Sequence, residues 1–295
     1  MSSLDKLRQK IQDSKSKGRQ SDDRFWKFQY DPKTKEGSAI IRFLPAKAGE
    51  SSEWVKYWTH FIQGDGGVFA HWCPTTWGEN CPVCEYNTSL YKRGMKDQGS
   101  KQKRQTFYVS NILVVKDPKN PEAEGKVFLY RYGNQVFKKL EDAIMGNEEM
   151  DIEGINPFSL KEGADLVLKS ENKNGFPNYE NSQFKQPKAL SAALQKSVPD
   201  DIFSLEDYVS KENGEYFDYD ALKKKLIKVI GKDAKQFFDD AIDLSDDSDD
   251  EAEAAVPSKK KSKTLEEDNL PESFDDDDLD LDLDDEDLDG LSEGL

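Results

Sequence analysis

Three observations on this 295-residue chain predict a mainly β body, a helical second part and an acidic tail without a core of its own. Six short runs rich in β-branched and aromatic residues precede residue 171, bounded by Gly, Pro, Asn or Asp. After Lys188 the apolar spacing turns helical. From Asp239 onward, 25 acidic residues stand against 4 basic ones. Like charge that dense, with only scattered Leu, does not bury enough apolar surface to offset the entropy of ordering.

In chain order, residues 2–13 place Leu4, Leu7 and Ile11 on one helical face, with Ser3 as N-cap and Lys6, Arg8 and Lys10 between them. This is a short basic amphipathic helix. Ser14–Asp23 is a polar, Ser-rich linker, and the body is expected to begin near Phe25 and Trp26. The expected strands are Ala39–Pro45, Glu53–Ile62, Gly67–Cys73, Thr106–Val115, Lys126–Tyr132 and Ala164–Ser170, with one helix over Gln135–Met145. Strands of this kind, interrupted by a cysteine-bearing insertion, suit an OB-fold-like barrel better than a parallel sheet. Leu190 with Leu194, then Leu222, Leu226, Val229 and Ile230, then Phe237 and Ile242, give the helical region. The expected domains are residues 1–23, 24–238 with a metal-binding subdomain at about 60–100, and 239–295.

The net charge of −17 argues against nucleic acid when taken whole, but it is unevenly distributed. Residues 239–295 carry −21, leaving +4 on residues 1–238. The end of the tail interleaves acids with Phe274, Leu279, Leu281, Leu283, Leu288 and Leu291, a pattern suited to docking partners or the protein's own basic surface. A uniformly solvating tail is the alternative. No stretch approaches the roughly 18 apolar residues of a membrane span, and the N-terminus has no apolar signal core, so no membrane partner and no secretion are expected. Three cysteines, an odd number, suit a reducing compartment.

All three cysteines, Cys73, Cys81 and Cys84, fall within twelve residues, and His60 and His71 lie just upstream. Three thiolates and one imidazole form the tetrahedral set that zinc favours, and Cys81-Pro-Val-Cys84 is a knuckle that turns two sulfurs toward one ion. One closed, structural zinc is expected. A thioredoxin-type redox pair would open a helix in a βαβ context, which is not read here. A deaminase zinc needs H-x-E and P-C-x-x-C, whereas His60 is followed by Phe-Ile and Asn80 precedes the knuckle. Local spacing favours His71 over His60, because a strand puts residues 71 and 73 on one face.

Between Lys92 and Arg131, ten basic residues stand against four acidic ones, and Phe128, Tyr130 and Tyr132 alternate beside them. Cations spaced along a groove meet phosphates, and flat side chains stack on unpaired bases. Each strand aromatic has core packing as its alternative role. Phe176 and Tyr179 are expected in an irregular Gly/Pro/Asn-rich loop, Asn174–Phe184, with little apolar support, which favours exposure.

His60-x₁₂-Cys73, the CPVC knuckle, Lys103–Gly133, Ile40–Lys47 and Gly175–Tyr179 together resemble the single-stranded-DNA-binding, helix-destabilising protein of T-even-type bacteriophages. The likeness runs from about Trp26 to Tyr179, weakens through the helical region and returns as tail composition. The resemblance implies an OB-fold core with a zinc subdomain, a basic N-terminal segment for cooperative self-association on DNA, and an acidic tail that recruits replication and recombination proteins. It implies His60, Cys73, Cys81 and Cys84 as the zinc ligands, although the spacing between Cys73 and Cys81 is two residues shorter than the family's. By the same match, Arg42, Tyr91, Lys103, Arg104, Tyr108, Tyr130, Phe176 and Tyr179 occupy positions associated with DNA contact, and Trp77 and Arg131 are further candidates for it. The family's N-terminal basic cluster followed by Ser or Thr is absent, and its internal copy has Gln105 in place of a cation. Self-association would then fall to Lys6, Arg8 and Lys10 or to Lys15–Arg19, with weaker contact between neighbours.

The sequence thus predicts a non-enzymatic protein that coats single-stranded DNA in replication, recombination and repair, in the cytoplasm of an infected bacterial host. The rival is a zinc-ribbon interaction scaffold whose aromatics are all core and which lacks single-strand affinity. An enzyme is disfavoured, since the chain has no GxxxxGK[ST] loop, no HExxH and no second metal cluster.

Overall fold

The computed structural model describes residues 22–243 apart from 148, 150, 214 and 215. Its strands are β1 (Gly37–Phe43), β2 (Trp54–Gly64), β3 (Gly67–Trp72), β4 (Gln105–Lys116), β5 (Val127–Tyr132), β6 (Leu166–Lys173), β7 (Phe176–Asn178) and β8 (Gln183–Phe184). Its helices are α1 (Pro82–Lys92), α2 (Lys96–Lys101), α3 (Asn134–Met145), α4 (Ala192–Asp201), α5 (Leu205–Tyr208), α6 (Tyr219–Ile230) and α7 (Lys232–Asp243). The expected N-terminal helix with Lys6, Arg8 and Lys10, most of the linker and the acidic tail beyond residue 243 lie outside the described residues.

These residues fall into two units, whose boundaries cut through β2 and lie near the start of β4. The first comprises residues 22–56 and 107–210; the second comprises 57–106 and 211–243.

β4 organises the first unit because it is buried on both faces: Phe107 to Val114, mostly apolar, are buried without a break. It pairs antiparallel with β5 on one side and β1 on the other, and β1 pairs with β6. β6 in turn carries both β7 and β8 on its free edge. The path β5–β4–β1–β6 is an open antiparallel sheet. A register shift between Ile40 and Ile41 re-aims β1 partway along β4.

One face packs Ile41, Phe43, Tyr108, Ile112 and Leu166 against Val136 and Leu140 of α3. The other packs Leu44 and Leu113 against Val198 of α4 and Ile202. Asn111 points to this second side, where its amide donates to the Phe203 carbonyl at 3.0 Å and accepts from the Phe203 N–H at 2.9 Å. That two-way pairing is what makes a buried amide tolerable.

The stretch Asn174–Tyr179, expected to be irregular, is instead part of the β6/β7 hairpin, with Asn174 and Gly175 both at positive φ (58° and 91°). An Asn-Gly pair is what a tight two-residue hairpin turn demands.

In the second unit, β2 and β3 form a hairpin in which His60 faces His71. Val83, Tyr86 and Leu90 of α1, and Leu222, Leu226 and Val229 of α6, supply helical stripes to one core with Ile62, Phe69 and Phe238. Asp218 caps α6, accepting from the Ala221 N–H at 2.7 Å. Gly66 lets the hairpin turn meet the end of α6: its N–H donates to the Val229 carbonyl, and a Cβ there would lie 1.8 Å from the Lys228 carbonyl oxygen.

Candidate metal centre and nucleic-acid interface

Four side chains converge in the second unit. His60 comes from the middle of β2, Cys73 directly follows β3, Cys81 is the N-cap of α1, and Cys84 lies in that helix's first turn. Pro82 at the first helical position, with apolar residues at helical spacing behind it, explains why the knuckle opens a helix here, a feature the sequence reading did not expect. The redox alternative is disfavoured by the third thiol and the imidazole, not by the lack of a helix.

The four ligand atoms lie within 4.8 Å of one another, a group that can hold a metal ion. His60 Nε2 is 3.3 Å from Cys81 Sγ and 3.6 Å from Cys84 Sγ, and Cys73 Sγ is 3.6 Å from Cys84 Sγ. All but Cys84 are buried. His71, across the hairpin, is outside this group: its Nε2 lies 3.1 Å from Lys225 Nζ and its ring packs between Phe69 and Phe217. The local-spacing argument for His71 failed because the chain leaves the strand at Cys73, so the alternation it assumed stops there.

Three crowded thiols do not share protons evenly. Hydrogen bonds from Cys81 and then Cys84 hold the Cys73 thiol far below its ordinary range, while the bond to Cys73 pushes Cys81 up and Cys84 up to about 12. A central cation would reverse that competition, because thiolates are the ligating form. The positive end of α1 also favours charge at Cys81 and Cys84.

The groups expected to contact nucleic acid divide between the two units. In the second, Arg104 is exposed, its Nη1 donates to Thr75 Oγ1 at 2.9 Å, and its guanidinium lies 4.7 Å from the Trp58 ring centre. Lys103 beside it is exposed. Trp77 is half-buried in a 3-10 turn (Pro74–Trp77), stacked near Trp72 at 5.9 Å, and Trp72 stacks on Tyr57 at 4.2 Å. Tyr91 is half-buried on α1 against Gly99, with its hydroxyl 3.4 Å from that of Ser100.

In the first unit, Phe176 is 48% exposed and Arg131 lies over the Phe107 ring at 4.9 Å. Tyr108, Tyr130 and Tyr179 are buried, which for Tyr179 differs from the exposure expected of it. Tyr108 stacks on Phe137 at 3.9 Å, Tyr130 on Tyr132 at 5.4 Å, and Tyr179 packs against Phe28. Arg42 is also buried, with Nε donating to Asp165 at 2.8 Å and Nη2 to the Lys188 carbonyl at 2.9 Å. Sequence reasoning passed over Trp58, Trp72 and Thr75. Trp72 directly precedes a metal-site cysteine, and Thr75 follows two residues after it, which was the available signal.

A family model described as gp32 DNA binding protein like matches residues 35–230, more than half of the chain. The single-stranded DNA-binding protein of Enterobacteria phage T4 is 35% identical over 225 residues, 73% of this chain and 73% of that protein. That of Enterobacteria phage T2 is 35% identical over 214 residues, 70% of each. Matches of this extent span both units and the candidate metal centre, and the chain belongs to the gp32-like DNA-binding protein family.

Proposed function

We propose that the chain is a non-enzymatic protein that binds single-stranded DNA with little sequence preference, coating it during replication, recombination and repair in the cytoplasm of an infected bacterium. The observation that carries this is the match to relatives named as single-stranded DNA-binding proteins, over the residues that form both units. Exposed Lys103, Arg104 and Phe176, with half-buried Trp77, Tyr91 and Arg131, supply the cations and flat rings that phosphates and unpaired bases need. Arg42, Tyr108, Tyr130 and Tyr179 are buried within the first unit and serve its packing. The open antiparallel path of the first unit is compatible with an OB-type core, which is a partly open barrel.

In this reading one zinc ion occupies the Cys₃His group and orders the second unit as a closed structural centre, supplying no chemistry beyond ligation. The N-terminal segment with Lys6, Arg8 and Lys10 joins neighbours along DNA. The tail from residue 239 recruits replication and recombination proteins. Titration with single-stranded oligonucleotides should quench Trp and Tyr fluorescence whatever the sequence, with affinity falling steeply as salt rises. Preference for duplex, or no binding at low salt, overturns the reading in favour of the zinc-ribbon scaffold.

A further inference from the structure

Four contacts in the second unit close into a ring around one hydroxyl. Arg104 Nη1 donates to Thr75 Oγ1 at 2.9 Å, and Thr75 Oγ1 lies 3.0 Å from Cys73 Sγ. A guanidinium has donors only, so the hydroxyl oxygen accepts from Arg104. With Cys73 as a metal-ligating thiolate, which can only accept, the hydroxyl's own hydrogen points at sulfur and the chain runs from Arg104 to Thr75 to the Cys73 sulfur. The Arg104 guanidinium lies 4.7 Å from the Trp58 ring centre, and the Trp58 carbonyl accepts from the Cys73 N–H at 2.7 Å. The Trp58 N–H donates in turn to Thr76 Oγ1 at 3.2 Å.

We propose that Thr75 is a positioning residue that couples metal occupancy to the DNA-binding surface. Its hydroxyl steadies the Cys73 thiolate and holds the exposed Arg104 guanidinium over the Trp58 ring, where it can meet a phosphate. Outer-sphere hydrogen bonds orient metal ligands and tune their basicity, and this one continues into a cation at the surface. The inference rests on the proposed zinc occupancy and single-strand binding, and it adds the residue through which the two communicate.

The test uses the full chain loaded with zinc, as wild type, Thr75→Val, Thr75→Ser, Arg104→Ala and the Thr75→Val/Arg104→Ala double variant. Two quantities are read: the rate at which a chromogenic chelator removes zinc, and the affinity for oligo(dT) across a salt series. Thr75→Val, which keeps the side-chain shape, should release zinc roughly tenfold faster. It should also flatten the log–log salt dependence by about 0.7, the share of one phosphate contact on a single strand. Thr75→Ser should restore both. Arg104→Ala should lose the same salt slope, and the double variant should lose no more than Arg104→Ala alone. If wild type binds oligo(dT) but Thr75→Val matches it in both readouts, or if the two substitutions add fully, the coupling is wrong. If wild type shows no zinc or no oligo(dT) binding, the underlying functional reading fails instead. Thermal unfolding of Thr75→Ser and Arg104→Ala keeps the outcome interpretable should Thr75→Val fold poorly.

Discussion

The two units reach order by different means. The first closes its core with a long buried strand and a ladder of rings: Tyr108 on Phe137, Tyr130 on Tyr132, Trp54 on Phe158, and Trp26 against Tyr130. Its sheet faces are largely apolar, and their few buried polar groups, such as Asn111 and Arg42, are hydrogen-bonded within the unit, so no metal is required to hold it. The second interrupts a smaller apolar core with three thiols and an imidazole, and two of those thiols, Cys73 and Cys81, are themselves core residues. Buried polar ligands cost stability unless something satisfies them. The first unit should therefore be indifferent to metal, and the second should depend on it.

Breaking the ligand set tests that contrast most severely. Cys81→Ser should lose protection from proteolysis and hydrogen exchange across residues 57–106 and 211–243, while the interior of β4 and β1 keeps it. Structural zinc contributes on the order of 10 kcal/mol at pH 7 in small metal-binding domains, so its loss should be felt throughout the second unit. Equal protection in both units would falsify the division.

The matching break in the first unit is Arg42→Met. It leaves Asp165 without its guanidinium partner, 2.8 Å away, and the Lys188 carbonyl without a donor. Removing one member of a buried pair costs roughly 3–5 kcal/mol, and the 20% exposure of the Asp165 side chain puts this case at the lower end. Chemical denaturation should show that loss, with zinc retention unchanged. A fully stable variant with weakened DNA binding would instead make Arg42 a direct contact.

That example also marks how far the sequence could be read. The strands of both units were legible, since β-branched and aromatic runs bounded by breakers lie within two or three residues of the observed elements at β1 to β6. The ligand group was legible once the family pattern chose His60 over His71. Face was not legible. Tyr108, Tyr130 and Tyr179 look alike in sequence to an exposed platform, and only the sheet register and α3 decide that they are buried. The helix at the knuckle was missed because cysteines and a proline masked the spacing of Val83, Tyr86 and Leu90.

Phe176 sharpens the contrast from the other side, as a ring the first unit does not need for its core. It sits beside the turn of the β6/β7 hairpin and is 48% exposed. Phe176→Ala should change stability by less than about 0.5 kcal/mol, as for surface substitutions generally. If the ring stacks on a base, single-strand affinity should fall by ~1–3 kcal/mol. A large loss of stability with unchanged affinity would return Phe176 to the core.

The smallest effect concerns how the second unit fastens α7 to α1. The Asp233 carboxylate accepts from Arg93 at 3.0 and 3.3 Å and from the Tyr86 hydroxyl at 2.6 Å. The Arg93 guanidinium, and then Tyr86, hold that carboxyl below its usual range. A depressed folded value means the stabilisation is present above the unfolded carboxylate pKa of about 3.9 and is lost as pH falls through the folded value. Both ionic side chains are about two-fifths exposed, so solvent screening limits the pair to about 1 kcal/mol or less. Tyr86 acts at the other end of the scale: burial, then Asp233, pushes it up to about 12, so its contribution is present below the unfolded value near 10 and fades as pH rises toward 12. Acid also protonates the metal ligands, so the informative quantity is the difference between wild type and Asp233→Asn. That difference should be constant near neutrality and shrink only in the acid range, where the wild-type carboxylate takes up its proton. A difference that instead shrinks between pH 5 and 7 would mean that the metal group, not Asp233, sets the acid limit at this seam.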